Sequence, residues 1–383
     1  MAARKLKLLQ SADRLFGPWL CRHVKPLAKE IISIVDPVSR KQNSPAIVPD
    51  EIRRILVVRP GGLGDAVLTY PMLQALRDGY PDARIDMLVE RRNAGVYAIM
   101  DLVAEVHCYD AGVLSVLRRL RSVQYDIVID TEQFHHFSTL FINYLRPKYL
   151  CGFDTLGRGR FQTHSVSYSE DTYEACSFLG LAQSVLGSTF NFDPDRPFIN
   201  VRPEARNWAV KALESAGERQ VAVVTPVAGG ASRLWSAGKY AQLVGWLISR
   251  EYYVVLLGGQ DGIEAAGSIS DQCSHEAVLN LAGKTTLAQS AAVLQQAGLS
   301  VSADTGVLHL AYSVGTPTVS LFGSGLHLKW APPGQHHRIV RKGLPCSPCI
   351  RFGRLPPCPH DFTCMSELNV ENVSAAIEDL FAG

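Results

Sequence analysis

The 383-residue sequence predicts an α/β protein made of two successive strand–turn–helix domains. Three observations predict it. Short apolar runs end in glycine-rich turns, helix-like segments follow those turns, and the rhythm restarts after a proline-rich stretch near mid-chain. Alternation of this kind implies parallel sheets covered by helices. A composition of 47% hydrophobic and 19% charged residues fits a globular chain with sizeable cores. The net charge of +2 points to no particular partner, and no basic stripe interleaved with aromatics appears, which argues against nucleic-acid binding. No run approaches the roughly 18 apolar residues of a membrane span. No secretory signal pattern is present either, so a cytoplasmic protein with mostly reduced thiols is expected.

Residues 1–50 form a leader and linker. Leu9, Phe16, Leu20, Val24, Leu27 and Ile31 recur at roughly helical spacing. Seven Lys and Arg against Asp13 and Glu30 give residues 1–30 a net +5. That pattern suits an amphipathic helix on an anionic membrane surface, and equally a helix packed on the main body. Gly17-Pro18 is expected to interrupt it. Residues 41–50, with two prolines, read as linker.

The first domain, 51–200, opens with the strand 55–58. A helix over 72–77 follows, with Pro71 either in its first turn or kinking it. Residues 83–89 alternate like a second strand and 126–130 form a third. The stretch 191–204 contains three prolines and reads as the interdomain connection. In the second domain, 201–383, strands are expected at 221–225, 253–257, 299–302 and 318–322, with helices at 239–250 and 287–297. A cleft between two such domains is a common place for a ligand.

The most informative segment is 59–71, RPGGLGDAVLTYP. Its glycines let the backbone turn tightly at the strand end, delivering one carboxylate, Asp65, where parallel sheets bind ligands. A single acid without a neighbouring partner suits a lone general base better than a metal pair. No lysine follows Gly64, so this is no phosphate-gripping loop, and the glycine spacing fails the dinucleotide fingerprint. Taken alone, a glycine turn with one Asp also describes ordinary structure.

A second constellation lies at 302–309. Asp304 or Thr305 can cap a helix there, leaving the N–H groups of Thr305, Gly306 and Val307 at the positive end of a helix dipole. A diphosphate suits that place. His309, one turn further on, could bond a phosphate oxygen, or be a satisfied core histidine. The turn at 225–235 adds Arg233, and the strand end at 258–264 adds Asp261 and Glu264 for ribose hydroxyls. Helix-terminal amides, a cation and carboxylates are what a nucleoside diphosphate needs. This domain carries no Walker lysine and no obvious Asp-x-Asp clamp, so Arg233 and the helix end would neutralise the diphosphate without a divalent ion.

These residues together resemble glycosyltransferase family 9, the ADP-heptose:lipopolysaccharide heptosyltransferases, over about 54–380. The segment 59–71 is similar to the family's N-terminal Gly-Asp…Thr-x-Pro element, which puts its catalytic base on Asp65. Asp130-Thr131-Glu132-Gln133 and Cys151-Gly152-Phe153-Asp154 resemble other landmarks of that domain. Arg233-Leu234-Trp235 falls where the family usually has Lys-x-Trp-Pro, with Ser236 replacing the proline. Asp304-Thr305-Gly306-Val307-Leu308-His309 resembles its Asp-Thr-Gly-x-x-His donor signature.

The resemblance implies the GT-B architecture of two facing Rossmann-like domains. It also implies an inverting, metal-independent transfer from ADP-heptose or a related nucleotide sugar to a lipopolysaccharide core. On this reading Asp65 deprotonates the acceptor, and Arg233, Thr305, Gly306, Val307 and His309 receive the leaving diphosphate, with Asp304 beside them. Arg59, Gly64, Arg91, Arg92, Asp130, Arg158 and Arg160 are the acceptor-side candidates, the arginines meeting carboxylates or phosphates. The basic leader would dock the enzyme peripherally at the inner membrane face. Other readings are a GT-B transferase or epimerase with another sugar nucleotide, and a non-catalytic sugar-nucleotide-binding envelope protein that kept the fold.

Nine cysteines are present. Cys21, Cys108, Cys151, Cys176 and Cys273 are scattered and read as packing residues. Cys346, Cys349, Cys358 and Cys364 cluster in the proline-rich segment 346–364, where structural zinc, reduced thiols and disulfides all stay open and His360 competes as a ligand. No cofactor is expected for catalysis.

Overall fold

A computed structural model describes residues 2–24, 47–227 and 229–382, with side chains from residue 11 onward. Leu27, Ile31 and most of the expected linker lie outside the described residues. Two compact units result: 1–169 with 174–192, and 170–173 with 193–383.

The first unit carries strands β1 (Arg54–Arg59), β2 (Arg84–Val89), β3 (Glu105–Cys108), β4 (Ile127–Asp130), β5 (Tyr149–Phe153) and β6 (His164–Val166). Its helices are α1 (Ala2–His23), α2 (Leu63–Val67), α3 (Tyr70–Gly79), α4 (Arg91–Tyr97), α5 (Val113–Val123), α6 (His136–Leu145) and α7 (Glu174–Leu186). The second unit carries β7 (Val221–Thr225), β8 (Tyr253–Leu256), β9 (Val278–Asn280), β10 (Leu299–Ala303), β11 (Thr318–Leu321) and β12 (His337–Val340). Around it lie α8 (Pro203–Ala212), α9 (Ala237–Ser249), α10 (Ile263–Cys273), α11 (Leu287–Gln296), α12 (Gly306–Ser313), α13 (His327–Trp330), α14 (Thr363–Ser366) and α15 (Val370–Phe381).

Both sheets are wholly parallel and share one winding. The first runs β3-β2-β1-β4-β5-β6 and the second β12-β11-β10-β7-β8-β9. Parallel strands covered on both faces read as unbroken apolar runs; Ile55, Leu56 and Val57, like Val254, Val255 and Leu256, are fully buried. Strand order reverses between β1 and β4, and again between β7 and β10. Such switch points open a crevice at the carboxyl edge of the sheet. The register pairs Val58 with Asp130 and Ser302 with Thr225, so each unit's two central strands end side by side. Pro71 falls in the first turn of α3, where its missing N–H is harmless.

The expected break at Gly17-Pro18 does not occur, since α1 runs through Pro18. Tertiary contact compensates for the proline. Asp13 accepts the backbone N–H groups of His136 (3.1 Å) and Phe137 (2.5 Å) at the start of α6. A Cβ on Gly17 would stand 2.8 Å from His136 Cβ, so glycine permits the helices to approach. Arg160 donates to the carbonyls of Cys21 (2.8 Å) and Arg22 (2.5 Å), tying down the C-terminal end of α1. The inner face of α1 thus packs on the first unit, while Leu15, Phe16 and Trp19 point outward, 75%, 59% and 58% exposed. Among the described residues no helix is long and apolar enough to cross a membrane.

Candidate active site

In the first unit the glycine turn follows β1 directly. Gly61 has a φ of +117° that glycine alone adopts readily, and a Cβ there would stand 2.9 Å from Arg59 Nη2. That close approach lets buried Arg59 reach forward to Asp65, with Nη2 3.2 Å from Oδ1. Arg59 Nε donates to Pro60 O (2.6 Å) and Nη1 to Thr131 O (2.9 Å), which fixes the guanidinium. Burial opposes its charge, but Asp65, Glu132 and Glu174 raise its pKa above the ordinary arginine value. Asp65 lies in the first turn of α2, where Oδ2 accepts Gly62 N–H at 3.2 Å, and its side chain keeps 24% exposure. The Asp65 carboxylate is thus oriented by a buried cation and one amide while staying open to solvent.

Behind it, Asp130 and Arg158 form an ion pair of 2.6 Å with both side chains fully buried. Asp130 also accepts Ser138 Oγ, Thr139 Oγ1 and Glu132 N–H. Glu132 accepts the backbone N–H groups of Gln133, Phe134 and His135. Although burial raises its pKa, His135, Arg59 and Arg158 hold it below the usual carboxylate range.

In the second unit the loops after β7, β10 and β11 converge. Arg233 Nη1 sits 3.2 Å from Asp304 Oδ2, with Arg233 31% and Asp304 7% exposed. A Cβ on Gly325 would stand 2.7 Å from that same oxygen, and Ser324 Oγ donates to Ser232 O at 3.2 Å. Thr305 is the N-cap residue of α12, but its side chain does not cap; its Oγ1 lies 3.0 Å from Ser302 Oγ instead. The first amides of α12 therefore keep their positive potential for an anion. His309 is buried with its ring edge-on to Trp330, centroids 6.1 Å apart. Trp235 anchors the Arg233 turn by donating to Leu368 O at 2.8 Å, and Ser236 caps α9.

A sequence profile of glycosyltransferase family 9 (heptosyltransferase) matches residues 113–357, well over half of the chain. The chain belongs to glycosyltransferase family 9. Lipopolysaccharide heptosyltransferase 3 of Escherichia coli is 27% identical over 294 residues, 70% of this chain and 83% of that protein. The family 9 glycosyl transferase of Veillonella parvula superposes with a TM-score of 0.73 at 19% identity, covering 88% of this chain and 99% of that one. E. coli heptosyltransferase WaaC, solved with ADP-2-deoxy-2-fluoro heptose, superposes with a TM-score of 0.66 at 20% identity, covering 85% and 99%. The protein is a glycosyltransferase with the α/β fold of the heptosyltransferases.

Within this family 9 enzyme the acceptor-side expectations sort by burial. Arg59, Asp130 and Arg158 are buried and bonded to internal partners, Arg59 to Asp65 and Asp130 to Arg158. Gly64 is buried inside α2, and Arg160 is committed to the carbonyls of α1. Arg91 and Arg92 are exposed at the start of α4, Arg92 Nε 2.6 Å from Glu90 Oε2. On the donor side, Arg233, Asp304, Thr305, Gly306 and Val307 are brought together. Asp304 holds Arg233 rather than a phosphate, which its charge would repel. Asp261 and Glu264 stand exposed after β8.

Among the described residues no three His, Cys, Asp or Glu side chains are grouped to hold an ion. All nine cysteines are free thiols; Cys346 is exposed, Cys349 and Cys358 half-buried and Cys364 buried. Burial, and then the neighbouring thiols, push the Cys349 and Cys364 pKa values up.

Sequence reasoning missed Glu90, whose carboxylate accepts Gly61 N–H (3.2 Å), Arg92 Nε and Tyr109 Oη (2.7 Å) and so braces the glycine turn. It also missed Lys329, 1% exposed in α13 beside Trp330. A lysine between Leu328 and Trp330, just ahead of Pro332-Pro333, was the signal.

Proposed function

We propose that this glycosyltransferase moves heptose from ADP-heptose to a lipopolysaccharide core acceptor, with inversion and without a metal ion. The observation that carries the reading is Asp65, a solvent-open carboxylate held by buried Arg59 and the Gly62 amide at the carboxyl edge of a parallel sheet. Asp65 takes the proton of the attacking hydroxyl. One base on the face opposite the leaving group yields inversion. In the second unit Arg233 and the uncapped amides of α12 take up charge developing on the diphosphate, usually the larger contribution to such a reaction. That positive set supplies the neutralisation a divalent ion would otherwise give. Asp261 and Glu264 are assigned to the ribose, and Arg91 and Arg92 to acidic groups of the acceptor. The names of the relatives, a lipopolysaccharide heptosyltransferase and a heptosyltransferase solved with an ADP-heptose analogue, support both substrate classes. We place the enzyme at the cytoplasmic face of the inner membrane, held peripherally by the outward face of α1 and the leader's basic residues.

The test is a donor panel of ADP-, UDP- and GDP-sugars with a truncated lipopolysaccharide acceptor, run with and without EDTA. ADP release that needs acceptor, an inverted anomeric centre by NMR and indifference to EDTA are expected. A preference for another nucleotide, or retention of configuration, refutes the assignment.

A further inference from the structure

The first unit contains a pocket that neither the base nor the acceptor arginines use. It lies over the carboxyl ends of β1, β2 and β4, at the switch point, with about 730 Å³ of atom-free space partly open to solvent. Val58, Leu88, Val113, Leu117, Phe141 and Ile142 are among its apolar lining residues. Pro60 is also part of the lining, which sets the pocket immediately beside the glycine turn of Asp65.

The polar side chains of the lining are already engaged. Glu90 holds Gly61 N–H, Arg92 and Tyr109 Oη; Glu132 holds three backbone amides; Ser138 Oγ donates to Asp130. Asp13 takes the amides of His136 and Phe137, and His135 Nδ1 lies 3.5 Å from Asp13. A sugar entering here would surrender its hydration for few new hydrogen bonds, a losing exchange. An alkyl chain gains from every wall.

The position of α1 indicates where such a chain comes from. Asp13, on its inner face, lines the pocket, while Leu15, Phe16 and Trp19 on its outer face are bare. Only the thickness of one helix, roughly 10–12 Å, separates the pocket from that apolar surface. Arg14, Arg22 and the other basic leader residues complement an anionic bilayer.

We infer that this pocket is an alkyl-chain subsite, which takes one acyl chain of a membrane-borne glycolipid acceptor and thereby presents its sugar beside Asp65. The inference rests on the heptosyl-transfer reading for the acceptor's identity, and on the pocket alone for its chemistry.

The test uses dodecyl maltoside below its critical micelle concentration, titrated calorimetrically into the full-length protein, with maltose and hexyl maltoside as controls. Expected results are one site for dodecyl maltoside, at least about tenfold weaker binding of hexyl maltoside, and no heat from maltose. Leu117→Trp, which fills the pocket, should weaken dodecyl maltoside at least about tenfold, with a lowered but still cooperative melting transition. Equal binding of maltose, or unchanged affinity in a folded Leu117→Trp protein, overturns the inference. Should that variant not fold, a diazirine-tagged dodecyl maltoside decides on the wild type. Labelling of the peptides bearing Val113, Leu117 or Phe141 supports the subsite, and labelling confined elsewhere overturns it. ADP binding measured on the same protein tests the donor reading separately, and its absence leaves the alkyl result standing.

Discussion

Replacing Asp65 by Asn removes one proton acceptor and changes little else in shape. Asn offers one carbonyl oxygen where the carboxylate offered two, so either Arg59 Nη2 or Gly62 N–H, each now at 3.2 Å, must face an NH2 group. Arg59 is buried, and its other two nitrogens keep Pro60 O and Thr131 O. The loss in stability is therefore well short of an orphaned buried charge, about 1 kcal/mol. The loss in rate is much larger. A positioned general base contributes about 10²–10⁴, equivalent to roughly 2.7–5.4 kcal/mol of barrier. The assay is kcat with saturating donor and acceptor, alongside ADP affinity by calorimetry and the melting temperature. Expected are a fall in kcat within that range, a slightly lower melting temperature and ADP affinity unchanged within about twofold. A variant retaining more than a tenth of the wild-type kcat refutes Asp65 as the base. Equal losses in ADP affinity and kcat would place it at the donor instead.

Arg233→Ala should weaken ADP about 10- to 100-fold by calorimetry, with Arg233→Lys in between; unchanged affinity removes Arg233 from the diphosphate site. Asp130→Asn should cost about 3–5 kcal/mol and lower the melting temperature by roughly 6–20 °C, because it strips the partner from a wholly buried guanidinium. A stable variant with only a raised acceptor KM would return Asp130 to the acceptor. Docking of α1 should depend on pH. Burial opposes charge on Asp13, but His135, His136 and two amides depress its pKa, so its contribution is present above about pH 3.8 and lost as pH falls further. His135 is raised from 6.5 by Asp13 and Glu132 against the effect of burial. Its contribution is complete below 6.5 and fades as pH climbs through the raised value. Proteolysis within α1 should accelerate on the alkaline side, and a flat profile to pH 9 defeats this account. Replacing Leu15, Phe16 and Trp19 by Ser should reduce co-sedimentation with anionic vesicles without lowering the melting temperature; unaltered co-sedimentation excludes that face as the anchor.

Continuous apolar runs and glycine punctuation made most inner strands legible, because a strand covered on both faces tolerates no alternation; β5, buried throughout but with the sequence YLCGF, was missed. The edge strands were not legible. β3, β9 and β12 are only partly buried, and their sequences EVHC, VLN and HRIV carry no distinguishing run. Asp65 and the Asp304–His309 segment could be read because their position after a strand gives them chemistry. The arginines could not, since sequence gives charge but not depth. Arg158 meets Asp130 across 28 positions, and nothing local distinguishes it from the exposed pair Arg91 and Arg92. The leader was half legible: its apolar spacing was visible, but the use of Asp13 to cap α6 depends on a partner more than a hundred residues away.

That last arrangement changes how the amino-terminal helix should be handled experimentally. Because Asp13 closes the front of α6 and Arg160 grips the rear of α1, amputating the leader would strip the cap from α6, leave Arg160 without those acceptors and uncover the face beneath Gly17. A shortened protein that lost its affinity for lipid would be reporting collapse of the first unit as much as the missing anchor. Point changes on the outward side separate the two effects; wholesale deletion confounds them.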